Sequence, residues 1–316
     1  METRSRLLFL DQFRGLAILL MVFGNAMAHY DSVPAYLQHA PADGFTLPDI
    51  VMPMFFFAMG YAAELSFLSR VKRDGASKTV SHLLFRNFVL IGYGILGTLL
   101  VKDHPWDILE ALGAAGLLAI PLLFLQPAVR LTLAVISLVA YQAGISFFFN
   151  PTGADSYWHG AMAGALATFS WIFILVAGSC LSAWLKGKVY TSKIVWPAVA
   201  GAILIAAGAA LNPFIPFNKH LGSISYILLS TGSCACGLML LMVLSERFHL
   251  SLPPLQAMGR NALVLYMLSC VLIVVENIIL PAEVSLLVCV GGFAAVLLLT
   301  YLTGAILDWK KIYVKL

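Results

Sequence analysis

A chain of 316 residues with 61% hydrophobic and only 11% charged residues cannot clothe itself for water, since soluble domains carry about a quarter charged residues. Its mean hydropathy of +0.92 makes lipid the expected solvent. Ten spans of roughly 20 residues would consume about two thirds of the chain, leaving short loops and a single transmembrane domain over 1–316. The net charge of +4 belongs to loop asymmetry and implies no nucleic-acid partner.

In chain order, Arg4 and Arg6 precede an apolar run, and Ala26-Met27-Ala28 imitates a signal-peptide cleavage site. Asp11 and Arg14 interrupt the front of that run, so the segment is expected to be retained as the first span, 7–28. An ionisable residue inside a span is a functional candidate by default; the alternative is a plain Asp11–Arg14 ion pair. Asn25 lies eleven residues after Arg14, about three turns on, which puts both on one helix face. The loop from Tyr30 to Thr46 carries Asp31, His39 and Asp43 and no Lys or Arg. Thr46-Leu47-Pro48-Asp49 reads as a capping box for the second span, 47–69. Glu64, near that span's far end, is expected to reach headgroups or pair with Arg70.

The remaining spans are predicted at 82–101, 107–126, 129–149, 160–185, 194–211, 221–244, 257–280 and 284–307. Asp107-Ile108-Leu109-Glu110 is a second capping box, and Glu276 sits near one end of the ninth span. No internal repeat is visible. The fold class is all-α: a polytopic helix bundle of about ten crossings. With the N-terminus inside, sixteen of the nineteen Lys and Arg fall on the inner side. Lys102 and Lys219 fall outside and Arg14 within the first span, so the chain reads as N-in and C-in. Of the seven histidines, His29, His39, His104, His159 and His220 map outside, and His82 and His249 inside. Cys180, Cys234, Cys236, Cys270 and Cys289 all lie in apolar runs and read as free thiols. The Cys234-Ala-Cys236 spacing is not that of a metal site, and no metal is expected.

One set of motifs is Leu10-Asp11-Gln12-Phe13-Arg14-Gly15-Leu16-Ala17, Asn25, His39-Ala40, Gly44-Phe45-Thr46, Asp49-Ile50-Val51-Met52-Pro53 and Met59-Gly60. Asn150-Pro151-Thr152-Gly153, Pro216-Phe217-Asn218-Lys219-His220-Leu221, Ser225-Tyr226, Gly259-Arg260-Asn261-Ala262, Tyr266 and Trp309-Lys310-Lys311 extend it along nearly the whole chain. Taken together, these motifs resemble the heparan-α-glucosaminide N-acetyltransferase family and its bacterial relatives. The opening also resembles the wider group of membrane acyltransferases that acetylate surface polysaccharides. In that group a catalytic histidine stands where this chain has Asn25; the glucosaminide branch carries its histidine in the following loop, at His39. A Gln-Arg pair usual in the family's fourth span is replaced by Glu110-Ala111-Leu112-Gly113, which leaves the acceptor open. With no lumenal segment ahead of the first span, heparan sulfate itself is not the expected acceptor.

The resemblance implies acetyl transfer from cytosolic acetyl-CoA to a glycan or amino sugar at the outer face of a bacterial inner membrane, with a homodimer by analogy alone. His39 would act as base or acyl carrier, Asn25 as amide donor and Asp49 as the group that fixes the His39 tautomer. Arg14, Arg86, Arg260 and Asn261 are the candidate donor-binding residues, since the CoA phosphates would stay at the basic inner face. The competing readings are a secondary transporter or a flippase-type component of a polysaccharide system. Paired broken helices in corresponding halves would favour the transporter; none is visible in the sequence.

Overall fold

Long apolar runs punctuated by capping residues, glycines and prolines build a chain of helices and turns. A computed structural model describes residues 7–41, 43–101, 106–147, 164–186, 188 and 190–314. Its helices are α1 (Leu8–Met27), α2 (Val51–Asp74), α3 (Ala76–Val101), α4 (Ile108–Leu122), α5 (Pro127–Phe147) and α6 (Thr168–Leu185). They continue with α7 (Tyr190–Leu211), α8 (Ile224–Glu246), α9 (Pro253–Arg260), α10 (Ala262–Ile279) and α11 (Leu286–Trp309). No strand occurs among the described residues beyond an isolated antiparallel bridge between Asp43 and Asn218. Lys102, His104, the Asn150-Pro151-Thr152-Gly153 motif and His159 lie outside the described residues.

Nine helices among the described residues are long and apolar enough to cross a membrane. The expected all-α membrane bundle is therefore present, with three differences from the predicted spans. The fourth span appears as the shorter α4, 15 residues, about 22 Å long at 1.5 Å per residue. Its start is the Asp107–Glu110 capping box, in which the Asp107 backbone N–H donates to Glu110 at 3.2 Å. The third span begins earlier, at Ala76, just after Gly75 takes a left-handed φ of 82°. The predicted ninth span is two helices. Pro253 and Pro254 open α9, where their missing N–H groups cost nothing. Asn261 then leaves the helical region, with φ −124° and ψ 36°. Its side-chain amide is held by the C-terminal segment instead, donating to the Ile312 carbonyl at 3.0 Å and accepting from the Val314 N–H at 3.1 Å.

Two compact units divide the chain. The first comprises Met1–Ala40, Thr46–Met54 and Gly237–Leu316. Here α1 packs on α9, α10 and α11. Gly15 lies against the Leu255 carbonyl and Gly259 against the Asp11 backbone, so α1 and α9 meet at backbone distance, which a side chain at either position would block. Phe23 meets Phe293 edge-on at 5.6 Å. Met27, Tyr30, Val33 and Cys289 form an apolar cluster at the same end of the unit.

The second unit comprises Pro41–Phe45 and Phe55–Cys236. In it α4 packs on α3 and α6, and α5 on α6. Trp171 is fully buried, stacked on Phe56 at 5.5 Å and edge-on to Tyr226 at 5.8 Å. Glu64 does not snorkel or pair with Arg70. Arg130, 2% exposed, reaches it from α5 at 2.7 Å, and both charges are buried. A charge taken from water needs a partner, and the nearest buried cation supplies it. All five cysteines are free thiols.

Candidate active site

The loop after α1 folds back so that His39 meets the start of α2. Asp49 lies in the 3-10 turn Leu47–Ile50 that precedes α2, with its side chain wholly buried. One carboxylate oxygen, Oδ1, is 2.8 Å from His39 Nδ1. The other accepts from the backbone N–H of Ala40 at 3.3 Å and of Thr46 at 3.0 Å. The capping box read from the sequence is therefore formed, and Asp49 serves it and the histidine at once. Thr46 Oγ1 lies 2.7 Å from the Gln38 carbonyl and 2.9 Å from Asp49 Oδ2, with one proton to serve either.

This geometry sets the chemistry of the ring. An acceptor at Nδ1 requires that nitrogen to carry the proton, which leaves a lone pair on Nε2 of the neutral imidazole. The His39 side chain remains 31% exposed. Nε2 faces Gly24 in the last turn of α1, where a methyl group would stand 3.5 Å from that nitrogen and 2.7 Å from the Pro48 side chain. Asn25 follows directly, half-buried. The structure thus brings His39 and Asp49 into contact and places Asn25 one residue from the helix surface under the ring.

At the opposite end of α1 a second polar group gathers. Arg14 is 3.8 Å from Asp11, one turn earlier. Arg260 on α9 lies 3.7 Å from Asp11 through Nε, and its Nη1 reaches both oxygens of Asp308 at 2.7 and 2.6 Å. The Asp308 hydrogen bond, aided by the nearby charges of Asp308 and Asp11, raises the Arg260 pKa. Gln256 Oε1 accepts from Nη2 at 3.2 Å. Asn261, next in sequence, spends both amide atoms on the backbone of residues 312 and 314. Ten residues of α1 separate Arg14 from Gly24, about 15 Å of helix.

Arg86 belongs to the second unit. There it lines a cleft with Met59, Asn87, Gly116, Ala119 and Leu175. Asn87 is 2% exposed, and its Oδ1 has no hydrogen-bond partner among the described residues. In the same unit Asn218 Nδ2 donates to Asp43 at 2.9 Å, and Gly44 N–H to the Phe217 carbonyl at 2.7 Å. Two motif segments remote in sequence are thereby paired.

Sequence reading passed over Gly24, Asn87 and Tyr30. A glycine adjacent to a polar residue near a helix end is a weak signal alone. Asn87 stands in an apolar run and Tyr30 opens a loop, and the tertiary surroundings of both are unreadable along the chain.

A polytopic helical membrane protein with a buried carboxylate orienting a half-exposed histidine is the class defined so far. The family model for "Heparan-alpha-glucosaminide N-acetyltransferase, catalytic" matches residues 6–211, and the chain belongs to that family of acetyltransferases. It is 38% identical over 100 residues to the mouse heparan-alpha-glucosaminide N-acetyltransferase, a stretch covering 30% of this chain and 15% of the mouse protein. With the human protein of the same name it shares 40% identity over 93 residues, 29% of this chain and 13% of that one. The aligned stretch is thus a small fraction of either relative's length.

Proposed function

We propose that the protein transfers an acetyl group from acetyl-CoA to an amino sugar or glycan, with His39 acting at the reacting centre. The observation that carries this reading is the His39–Asp49 pair: a buried carboxylate on Nδ1 leaves Nε2 as a base or nucleophile in a partly open position. The family match and the relatives' printed names support the reaction class and the acceptor class. Asp49 orients the ring and stabilises the imidazolium that forms when Nε2 takes a proton from the attacking amine or hydroxyl. That proton then passes to the departing CoA sulfur. Asn25 supplies an amide N–H toward the developing oxyanion.

The thioester donor enters from the end of α1 that carries Arg14, the end that the loop charge asymmetry makes the basic face. Arg14, Arg260 and Asn261 in the first unit, and Arg86 in the second, are the candidate donor contacts. Arg14 is tied to Asp11, Arg260 to Asp308 and Asn261 to the C-terminal backbone, ties that phosphate contact would have to displace. By charge asymmetry this end is cytoplasmic and His39 is extracytoplasmic, so the acetyl group crosses while CoA does not. The setting that fits is a bacterial inner membrane.

The test uses purified protein, acetyl-CoA and an alkyl α-glucosaminide. The wild type should release CoA thiol in step with acetylated product. His39→Ala should lose about 10²–10⁴-fold in turnover, the usual worth of a general base, while acetyl-CoA still raises its melting temperature. Full turnover in His39→Ala rejects the histidine mechanism; no thermal response of the wild type to acetyl-CoA rejects the donor and favours a transporter.

A further inference from the structure

His39 rides on a loop, and a loop places a catalytic group well only if something rigid holds it. Within the first unit that support is a chain of hydrogen bonds ending on α10. Tyr30, 1% exposed, donates its hydroxyl to Glu276 at 2.8 Å. Burial, and then the Glu276 hydrogen bond, push the Tyr30 phenol above its ordinary range, so it serves as a donor. Glu276 is 7% exposed, and its second oxygen has no partner among the described residues. Gly292 on α11 lies so close to the carboxyl that a side chain there would displace it. The Tyr30 carbonyl in turn accepts from the Gln38 amide at 2.9 Å, and Gln38 immediately precedes His39. Asp31 N–H donates to the Ala282 carbonyl at 3.0 Å, fixing the loop's first residues on the α10–α11 connection.

A carboxyl that is 7% exposed costs stability unless it is hydrogen-bonded. The hydrogen bond that it accepts from Tyr30 anchors the segment that turns into His39. We propose that Tyr30 and Glu276 are positioning residues for His39: their hydrogen bond ties to α10 the loop that presents the imidazole to the reacting centre. This rests on the reading of His39 as the acting base.

The experiment compares Tyr30→Phe, Glu276→Leu and Glu276→Gln, with acetyl-CoA and an alkyl α-glucosaminide as probes. Tyr30→Phe and Glu276→Leu should each lower kcat about ten- to a hundredfold, the effect of a small misplacement, with KM for acetyl-CoA within about twofold. Glu276→Gln keeps an oxygen for the tyrosine and should retain most of the wild-type rate. Because the pair acts through His39, His39→Ala/Tyr30→Phe should be no slower than His39→Ala. Should Tyr30→Phe fail to fold, Tyr30→Phe/Glu276→Leu removes both polar groups and leaves no buried orphan; it should fold and be as slow as Glu276→Leu. Wild-type kcat in Tyr30→Phe or in the paired variant, beside an inactive His39→Ala, overturns the positioning role alone. A double variant slower than His39→Ala by the full tyrosine factor also overturns it. Wild-type turnover in His39→Ala sinks the underlying reading and the positioning role with it.

Discussion

Asp49 does two things with one carboxylate: it caps the turn that opens α2 and it holds His39 by Nδ1. Removing its charge therefore separates two effects. Asp49→Asn presents an amide NH₂ where a carboxylate oxygen stood. If that NH₂ faces the Ala40 and Thr46 N–H groups, stability should fall by about 1–3 kcal/mol, the cost of leaving buried donors unsatisfied. If it faces His39, the ring must accept at Nδ1, Nε2 becomes protonated, and turnover falls with little loss of stability. Thermal unfolding and kcat measured together distinguish the two, and a variant wild-type in both would contradict the pair's role. Gly24→Ala tests the other side of the ring. A methyl 2.7 Å from Pro48 is closer than carbon atoms sit, so the turn bearing Asp49 must shift. We expect kcat to drop with donor affinity kept; unchanged kcat would show that Nε2 does not need its place over α1.

Helices behave less locally than residues. The Glu64–Arg130 pair joins α2 to α5 with both charges buried. Breaking it with Glu64→Leu should cost about 3–5 kcal/mol, whereas Glu64→Leu/Arg130→Met should recover most of that loss. Denaturation of both variants in detergent measures the difference, and an additive double variant would argue that the pair is incidental. The same pair shows what sequence could tell. Glu64 was visible as an intramembrane charge, but its partner lies 66 positions away on another helix, and Arg70 was merely nearer along the chain. Capping boxes at Thr46 and Asp107 were legible because every group they need lies within four residues. The break at Asn261 was not, since it depends on backbone atoms of Ile312 and Val314. His39 and Asp49 were legible as candidates through motif resemblance. The tyrosine–glutamate anchor was not, because its two residues lie 246 positions apart, one in a loop and one in an apolar run.

On the scale of the whole molecule, the proposed orientation rests on charge asymmetry. Reporter fusions after Asp74 and Lys188 should read as cytoplasmic, and one near Asp43 as extracytoplasmic; a cytoplasmic reading near Asp43 would put His39 on the donor's side. Among the described residues there are nine long apolar helices and the shorter α4; ten crossings, and termini on one side, need α4 to span as well. The mechanism then rests on sidedness, and vesicles of defined orientation measure it directly. Protein is reconstituted into sealed liposomes, labelled acetyl-CoA is supplied only on the side of Arg14, and an alkyl α-glucosaminide is enclosed on the side of His39. Labelled acetyl-glucosaminide should accumulate on the His39 side while CoA thiol appears on the donor side, and His39→Ala vesicles should show neither beyond background. Product formed only when donor and acceptor share one compartment would contradict transfer across the membrane.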